Sequence, residues 1–186
     1  MSSSSHCSAL ARAGAILLAA LLCLPAQAGW RDDLPGAALA GEGAFRWLGL
    51  RLYTAQLWRG ALPLAESGQW PLSTPFALQL RYDYAISRER FVDTSLAEIR
   101  RMDGERRPEA TLAQWQAELN RAFVDVAAGE QLIGVYLPGR GARFYHGERL
   151  TAELSDPQLA EAFFAIWLGP KARDSRLRAQ LLGRAP

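Results

Sequence analysis

The sequence has very few residues of the types that metal sites and nucleophilic catalysts need. It contains two cysteines and two histidines in 186 residues, and both cysteines, Cys7 and Cys23, lie close to the N-terminus. After residue 28 the chain has no thiol for a disulfide, a thiolate nucleophile or a metal, and His146 is its one histidine. A histidine-based triad or a His/Cys metal site is therefore limited to a single base or ligand. We expect no metal, no cofactor, and a surface role for His146.

Lysine is scarce as well, so arginine carries almost all of the positive charge. Lys171 is the only lysine among the 21 basic residues. Arg12 precedes residue 29, so 20 basic and all 19 acidic residues lie beyond residue 28, a net charge of +1. That balance gives no electrostatic footprint for nucleic acid. "GRG" at Gly139–Gly141 does not lead into a helix, so it predicts a turn rather than a phosphate-binding loop.

The first 28 residues have the pattern of a cleavable signal peptide. Arg12 is the only charge in this segment, Ala13–Leu24 is uninterrupted apolar sequence, and Ala26-Gln27-Ala28 has the small-x-small pattern of a signal-peptidase site. This run is shorter than the roughly 20 residues that span a bilayer. An uncleaved anchor and lipoprotein processing at Cys23 are the alternatives. We predict cleavage after Ala28, a periplasmic location, and a single domain over residues 29–186 without a membrane span.

Two apolar stretches interrupted by a glycine predict the first pair of strands. We assign Ala44–Leu48 and Leu50–Arg59 as strands joined at Gly49. A helix is the competing interpretation, because the apolar residues also fit helical spacing, but the glycines and aromatic residues favour strands. Both faces of the second strand are apolar, which indicates an internal position in a sheet.

Three later stretches also have strand patterns. In "FALQLRYDY", Phe76–Tyr84, large apolar side chains alternate with smaller and polar ones, as in a half-buried strand. Pro63, Pro71 and Pro75 mark the linker that precedes it. "QLIGVYLPG" and "ARFYHG" predict two strands around a glycine-rich turn, and a further strand after them is left open.

Four helices are predicted from caps and apolar spacing. The first runs from its cap at Ser87 to about Met102, and the second opens at a capping box, Thr111–Gln114. The third starts at Asp156-Pro157 and is apolar on nearly all sides, and the fourth covers Ser175–Leu182. Strands and helices occur in blocks rather than alternating. This order predicts an α+β fold with an antiparallel β-sheet packed against a layer of α-helices.

Four segments carry a family resemblance: "GEGAFRWLGLRLYTAQLW", "LRYDYAIS", "EQLIGVYLPGRG" and "AFFAIWLGPKARDSRLRAQLLG". They resemble the chalcone isomerase-like proteins exported by bacteria, and the similarity covers nearly all of the chain after residue 28. The resemblance implies the chalcone isomerase fold, an open-faced sandwich of a large antiparallel sheet on a layer of helices. This agrees with the fold predicted from the element order.

The resemblance does not extend to the catalytic residues of the plant enzymes. Their catalysis relies on an arginine and a threonine near the first strands, a tyrosine and an asparagine. The plant "F-T-x-I-G-V-Y" segment aligns with Trp47–Tyr53, which puts Leu48 in the place of the threonine, and the upstream arginine falls at about Gly36. Chalcone isomerisation is therefore not supported. Relatives on the same fold bind fatty acids without turning them over, which implies a binding role by analogy.

Arginines and tyrosines in the predicted strands are the candidate ligand-binding residues: Arg46, Arg51, Tyr53, Arg81, Tyr82 and Tyr84. An arginine beside a tyrosine can hold a carboxylate while aromatic walls hold an apolar tail. Alternatively, these arginines lie at strand ends with their stems packed on tryptophan. We expect one of Arg46 and Arg51 to face a cleft.

The leading hypothesis is a periplasmic, non-catalytic protein that binds a small apolar molecule, including a fatty-acid-like carboxylate, between sheet and helices. One alternative is an isomerase or lyase acting on a small aromatic or enone substrate, with Tyr82 or Tyr84 as the acid and an arginine steadying an oxyanion. Another is an interaction protein without a pocket.

Overall fold

The fold is seen in a computed structural model that describes residues 29–61, 73–104 and 106–184. The predicted signal peptide, residues 1–28, lies outside the described residues, and so do Pro63 and Pro71 of the predicted linker. Within the described residues, no helix is both long enough and apolar enough to cross a membrane.

Six strands form one antiparallel sheet in which spatial order follows chain order. The strands are β1 (Ala38–Trp47), β2 (Leu50–Arg59), β3 (Phe76–Tyr82), β4 (Gln131–Leu137), β5 (Gly141–His146) and β6 (Arg149–Leu154). The helices are α1 (Arg88–Asp103) and α2 (Glu109–Ala122) between β3 and β4, then α3 (Pro157–Leu168) and α4 (Ser175–Leu181) after β6. The predicted α+β class, with an antiparallel sheet against a layer of helices, is confirmed.

The first two strands form a hairpin, as the strand interpretation predicted. Leu48 and Gly49 are the two turn residues, with φ of 49° and 83°, and Trp47 pairs with Leu50 across the closing position. Two positive φ values are the mark of a type I′ turn, whose twist matches that of the strands it joins. β2 is internal as expected, since it pairs with β1 on one side and β3 on the other.

β1 starts at Ala38, six residues before the predicted start at Ala44. Gly41 and Gly43 lie inside this strand, where an added Cβ would meet residues of α4. A Cβ on Gly41 would collide with the backbone oxygens of Gln180 and Leu181 at the end of α4. Glycine here lets the helix backbone approach the strand closely, which is one of the uses of glycine inside a strand.

Helix caps were predicted well, with one exception. The Ser87 hydroxyl accepts from the backbone N–H of Arg90, and Asp156 accepts from Gln158 at the start of α3. The capping box predicted at Thr111–Gln114 is wrong. α2 begins at Glu109, because the Pro108 carbonyl already accepts the N–H of Thr111 at 3.0 Å, and Thr111 lies inside the first turn.

The main core lies between the sheet and the four helices and is rich in aromatic rings. Phe163 and Phe164 of α3 pack on Phe144 of β5, and Phe123, just after α2, packs on Phe163 and Phe144. A smaller cluster covers the opposite face of the sheet, where Trp30 of a short 3-10 helix (Trp30–Asp33) joins Ala77, Ile133 and Val135. The centre of the sheet is therefore covered on both faces.

Candidate functional site

A cavity of about 560 Å³ lies between the sheet and helices at the end of the sheet that carries the β1–β2 turn. Strands β1 to β3 form its floor, and its walls come from α1, the C-terminal end of α3 and the start of α4. Its aromatic lining residues are Phe45, Trp47, Tyr53, Tyr82, Tyr84, Phe91 and Trp167. A ligand in this cavity would therefore contact several rings together with aliphatic and charged side chains.

One row of aromatic side chains crosses the floor because the strand register puts them opposite one another. Phe45 pairs with Tyr53, and Tyr53 pairs with Tyr82, so all three project from the same face of the sheet. The ring centroids of Phe45 and Tyr53 are 5.1 Å apart, and those of Tyr53 and Tyr82 are 5.6 Å apart. Phe91 of α1 continues the row at 6.0 Å from Tyr82.

The tyrosine hydroxyls give this apolar floor two polar atoms. Trp167 Nε1 donates to Tyr53 Oη at 3.0 Å, so the phenol keeps its own proton for a second partner. Burial raises the pKa of Tyr53, and burial together with Tyr53 raises the pKa of Tyr82. Both phenols are therefore protonated at neutral pH, and each can donate a hydrogen bond to an anion.

Charged side chains lie around the helical wall: Arg90 and Glu98 from α1, Arg173 from the segment before α4, and Asp174, the cap of α4. Arg173 Nε donates to Glu98 Oε1 at 2.8 Å, and Arg101 Nε lies 2.9 Å from Glu98 Oε2. Among the described residues, no carboxylate forms an ion pair with Arg90. The two carboxylates that line the cavity have other partners, since Glu98 binds Arg101 and Arg173 and Asp174 caps α4, and the exposed Arg90 is paired with neither.

Of the six predicted site residues, the three tyrosines line the cavity and the three arginines do not. Tyr53, Tyr82 and Tyr84 line the cavity. Arg46, Arg51 and Arg81 are exposed and lie outside its lining. We expected one of Arg46 and Arg51 to face a cleft, and neither lines this cavity.

The reason is different for each arginine. Arg51 is held by Asp83, with Nε to Oδ2 at 2.5 Å and Nη2 to Oδ1 at 3.1 Å. Arg81 has the parity of Ala77 in β3, which packs on the opposite face of the sheet. Arg46 follows a register shift after Phe45, at the exposed end of β1. A ligand-binding role for the three tyrosines stays a prediction.

Sequence reasoning missed the helical half of the cavity, including Arg90, Glu98 and Trp167. A signal was available in α1, because Arg90, Thr94 and Glu98 are spaced by four residues and so share one helix face. This face lies beside the buried stripe of Phe91 and Ser95. No group of three or more His, Cys, Asp or Glu side chains that could hold a metal occurs in the described ranges.

The sequence matches the family model described as chalcone isomerase-like over residues 40–183, nearly the whole of the described fold. The chain belongs to the chalcone isomerase-like family. Residues 40–183 extend from β1 past the end of α4, so the match includes every strand and helix that surrounds the cavity.

Two comparisons place this chalcone isomerase-like chain among other proteins. An uncharacterized protein of Haemophilus influenzae is 26% identical over 148 residues, which cover 77% of this chain and 67% of that protein. The crystal structure of an Arabidopsis thaliana fatty-acid binding protein is similar with a TM-score of 0.58 at 13% identity, covering 80% of this chain and 87% of the other. At that identity the structural likeness supports the fold.

The ion pair between Glu98 and Arg173 connects α1 to the segment before α4, and both residues line the cavity. We expect Glu98→Gln to lower the free energy of unfolding by about 1 kcal/mol, because a partly buried carboxylate loses the charge assistance of three hydrogen bonds, one from Arg101 and two from Arg173. Urea denaturation at pH 7 measures the difference. Glu109→Gln is the control, since its pair with Arg100 is exposed and longer, at 3.3 Å. An equal loss of unfolding free energy in Glu98→Gln and Glu109→Gln would contradict a specific stabilising role for the Glu98 ion pairs.

The effect of Glu98→Gln depends on pH. Burial tends to raise the pKa of Glu98, but the hydrogen bonds from Arg173 and Arg101 outweigh it and hold that pKa below the usual value. The stabilisation is therefore complete above the unfolded-state pKa of about 4.3 and is lost as the pH falls through the lower folded-state pKa. The difference in unfolding free energy between wild type and Glu98→Gln should accordingly shrink in acid.

Proposed function

We propose that this protein is a periplasmic, non-catalytic member of the chalcone isomerase-like family that binds a small apolar carboxylate, such as a fatty acid, in the cavity between sheet and helices. The observation that carries the proposal is an aromatic cavity of about 560 Å³ with an arginine, Arg90, that has no carboxylate partner among the described residues. The periplasmic location rests on the signal-peptide pattern of residues 1–28.

The cavity suits a molecule with one anionic group and a long apolar part. Its volume lies within the range of about 300–1,000 Å³ that is usual for small-molecule sites. An apolar chain would pack on the row of Phe45, Tyr53 and Tyr82. The guanidinium of Arg90 and the protonated phenols are donors for a carboxylate, and hydrogen bonds between charged partners are the stronger kind.

The structural neighbour supports the same class of ligand. The Arabidopsis protein is described as a fatty-acid binding protein, and its fold covers 80% of this chain. An isomerase or lyase is less well supported. It requires Tyr82 or Tyr84 to give up a proton, and a phenol whose pKa is raised by burial, as that of Tyr82 is, becomes a weaker acid.

The proposal is tested by binding a saturated sixteen-carbon fatty acid to the delipidated protein, followed by native mass spectrometry and displacement of a fluorescent fatty acid. We expect one saturable site. Ile166→Trp should weaken binding by about tenfold or more, because the half-buried Ile166 lines the cavity and the larger ring would occupy it.

Gln158→Trp is the matched control, since it adds the same ring to the exposed first turn of α3, away from this cavity. Its affinity should equal that of the wild type. A protein that retains no fatty acid in the mass spectrum and shows no thermal shift would contradict the proposal, as would equal losses in the two tryptophan variants.

A further inference from the structure

The turn of the β1–β2 hairpin is an exposed apolar tip. Leu48 is 88% exposed, Leu50 is 58% exposed and Trp47 is 53% exposed. Tyr84, which follows β3 at the same end of the sheet, is 53% exposed. Most other large apolar side chains of the described residues are buried, so these four form a local concentration of apolar surface, which on a soluble domain marks a contact site. We call Trp47–Leu50 the hairpin tip.

Leu48 is unusual in its backbone as well as in its exposure. It is the only non-glycine residue with a positive φ among the described residues. A type I′ turn favours asparagine or aspartate before glycine, and a left-handed conformation is unfavourable for leucine. Neither turn geometry nor core packing explains a leucine at this position. Residues held in disfavoured conformations are concentrated at functional sites.

Positive charge surrounds the base of the hairpin tip. Arg46 and Arg51 face each other in the register directly behind the Trp47–Leu50 pair. Arg51 Nε lies 2.5 Å from Asp83 Oδ2, and Arg81 precedes Asp83 by two residues at the end of β3, so the three arginines lie around a single aspartate. Three cations around one anion leave a net positive surface beside the apolar side chains.

This combination fits a lipid surface better than a protein partner. An exposed tip of tryptophan and leucine can enter the boundary between headgroups and acyl chains, while arginines remain among anionic headgroups. A stable protein interface takes about 20–30 residues on each partner, far more than the four exposed apolar residues Trp47, Leu48, Leu50 and Tyr84. The chemistry of the tip therefore matches an anionic bilayer.

We propose that the hairpin tip, with Arg46, Arg51 and Arg81 behind it, docks the protein on an anionic lipid surface with the cavity mouth facing the bilayer. Trp47 and Tyr84 belong to both the exposed tip region and the cavity lining, so the two places are continuous. If the cavity binds fatty acids, as proposed above, a ligand could pass between bilayer and cavity without crossing open water. Docking itself does not depend on that ligand.

The test is sedimentation with phosphatidylglycerol vesicles and with phosphatidylcholine vesicles, using protein expressed with its leader and purified after export. The variant Leu48→Asn/Leu50→Thr removes the two leucines, neither of which lines the cavity, and asparagine suits the turn. We expect its partitioning to anionic vesicles to fall about tenfold.

Leu150→Thr, which replaces an exposed leucine on β6, is the control and should bind vesicles as well as the wild type does. Arg46→Gln/Arg81→Gln should bind anionic vesicles less and with a weaker salt dependence.

The proposal is overturned if the wild type does not sediment with anionic vesicles or if Leu48→Asn/Leu50→Thr binds them equally well. It is also overturned if the tip variant changes only a concentration-dependent self-association, because the tip would then contact a second copy. Fatty-acid affinity measured without vesicles should be the same in wild type and tip variant. Vesicle binding without fatty-acid binding would refute the proposed ligand and leave docking supported, and the reverse result would refute docking alone.

Discussion

Phe164→Ala is expected to lower the free energy of unfolding by about 3–5 kcal/mol. Phe164 of α3 is fully buried, and its ring contacts the rings of Phe76, Tyr136 and Phe144 on the sheet. These contacts connect the helical layer to the centre of the sheet. Alanine would lose them and leave a cavity that rigid strands cannot close. Chemical denaturation monitored by tryptophan fluorescence and far-UV circular dichroism gives the loss.

Ile166→Ala on the same helix is the control, and it should cost less because Ile166 is only half-buried. The local cause can be tested at Gly134 of β4, where an added Cβ would lie 2.9 Å from Phe164 Cζ. Gly134→Ala should therefore destabilise the wild type more than it destabilises Phe164→Ala. Equal costs in the two backgrounds would show that Phe164 does not restrict this position.

The fold was largely predictable because its signals are local. Alternating side chains over "FALQLRYDY", the cap at Ser87 and the cap with proline at Asp156-Pro157 each specify one element without reference to the rest. One error arose where a distant part of the chain decides, and another where two local capping patterns compete. Gly41 belongs to β1 because α4 lies against it, and the start of α2 is set by the Pro108 carbonyl rather than by a threonine side chain.

The site was half predictable for a similar reason. The period of a strand shows that Tyr53 belongs with the apolar face, and pairing then puts it beside Tyr82. The alternation of side chains along a strand does not show which of its residues lie beyond the cavity lining. It also does not show which carboxylate forms an ion pair with a given arginine. Arg51 is held by Asp83, which lies 32 positions away in the chain. Arg90 was missed because the buried stripe of α1 identifies the packing face of the helix but does not show that the polar face beside it lines a cavity.

Arg90→Gln should weaken binding of a sixteen-carbon fatty acid by about 10- to 100-fold. Hydrogen bonds to a charged group contribute about 1.5–3 kcal/mol, and each 1.4 kcal/mol corresponds to a factor of ten in affinity. Arg90 lines the cavity and no described carboxylate competes for its guanidinium, so the ligand carboxylate would be its main anionic partner. Displacement of a fluorescent fatty acid measures the change.

Two controls separate recognition of the carboxylate from a general effect on the cavity. Arg88→Gln removes an arginine from the first turn of α1 that pairs with Glu89 and does not line the cavity, so affinity should be unchanged. The sixteen-carbon alcohol has the same chain without the charge, and Arg90→Gln should leave its affinity nearly unaltered. Equal losses for acid and alcohol would mean that Arg90 shapes the cavity instead of binding the anion. If Arg90→Gln kept its affinity for both ligands, the phenols of Tyr53 and Tyr82 would be the donors to the carboxylate. Both phenols keep their protons because burial raises their pKa.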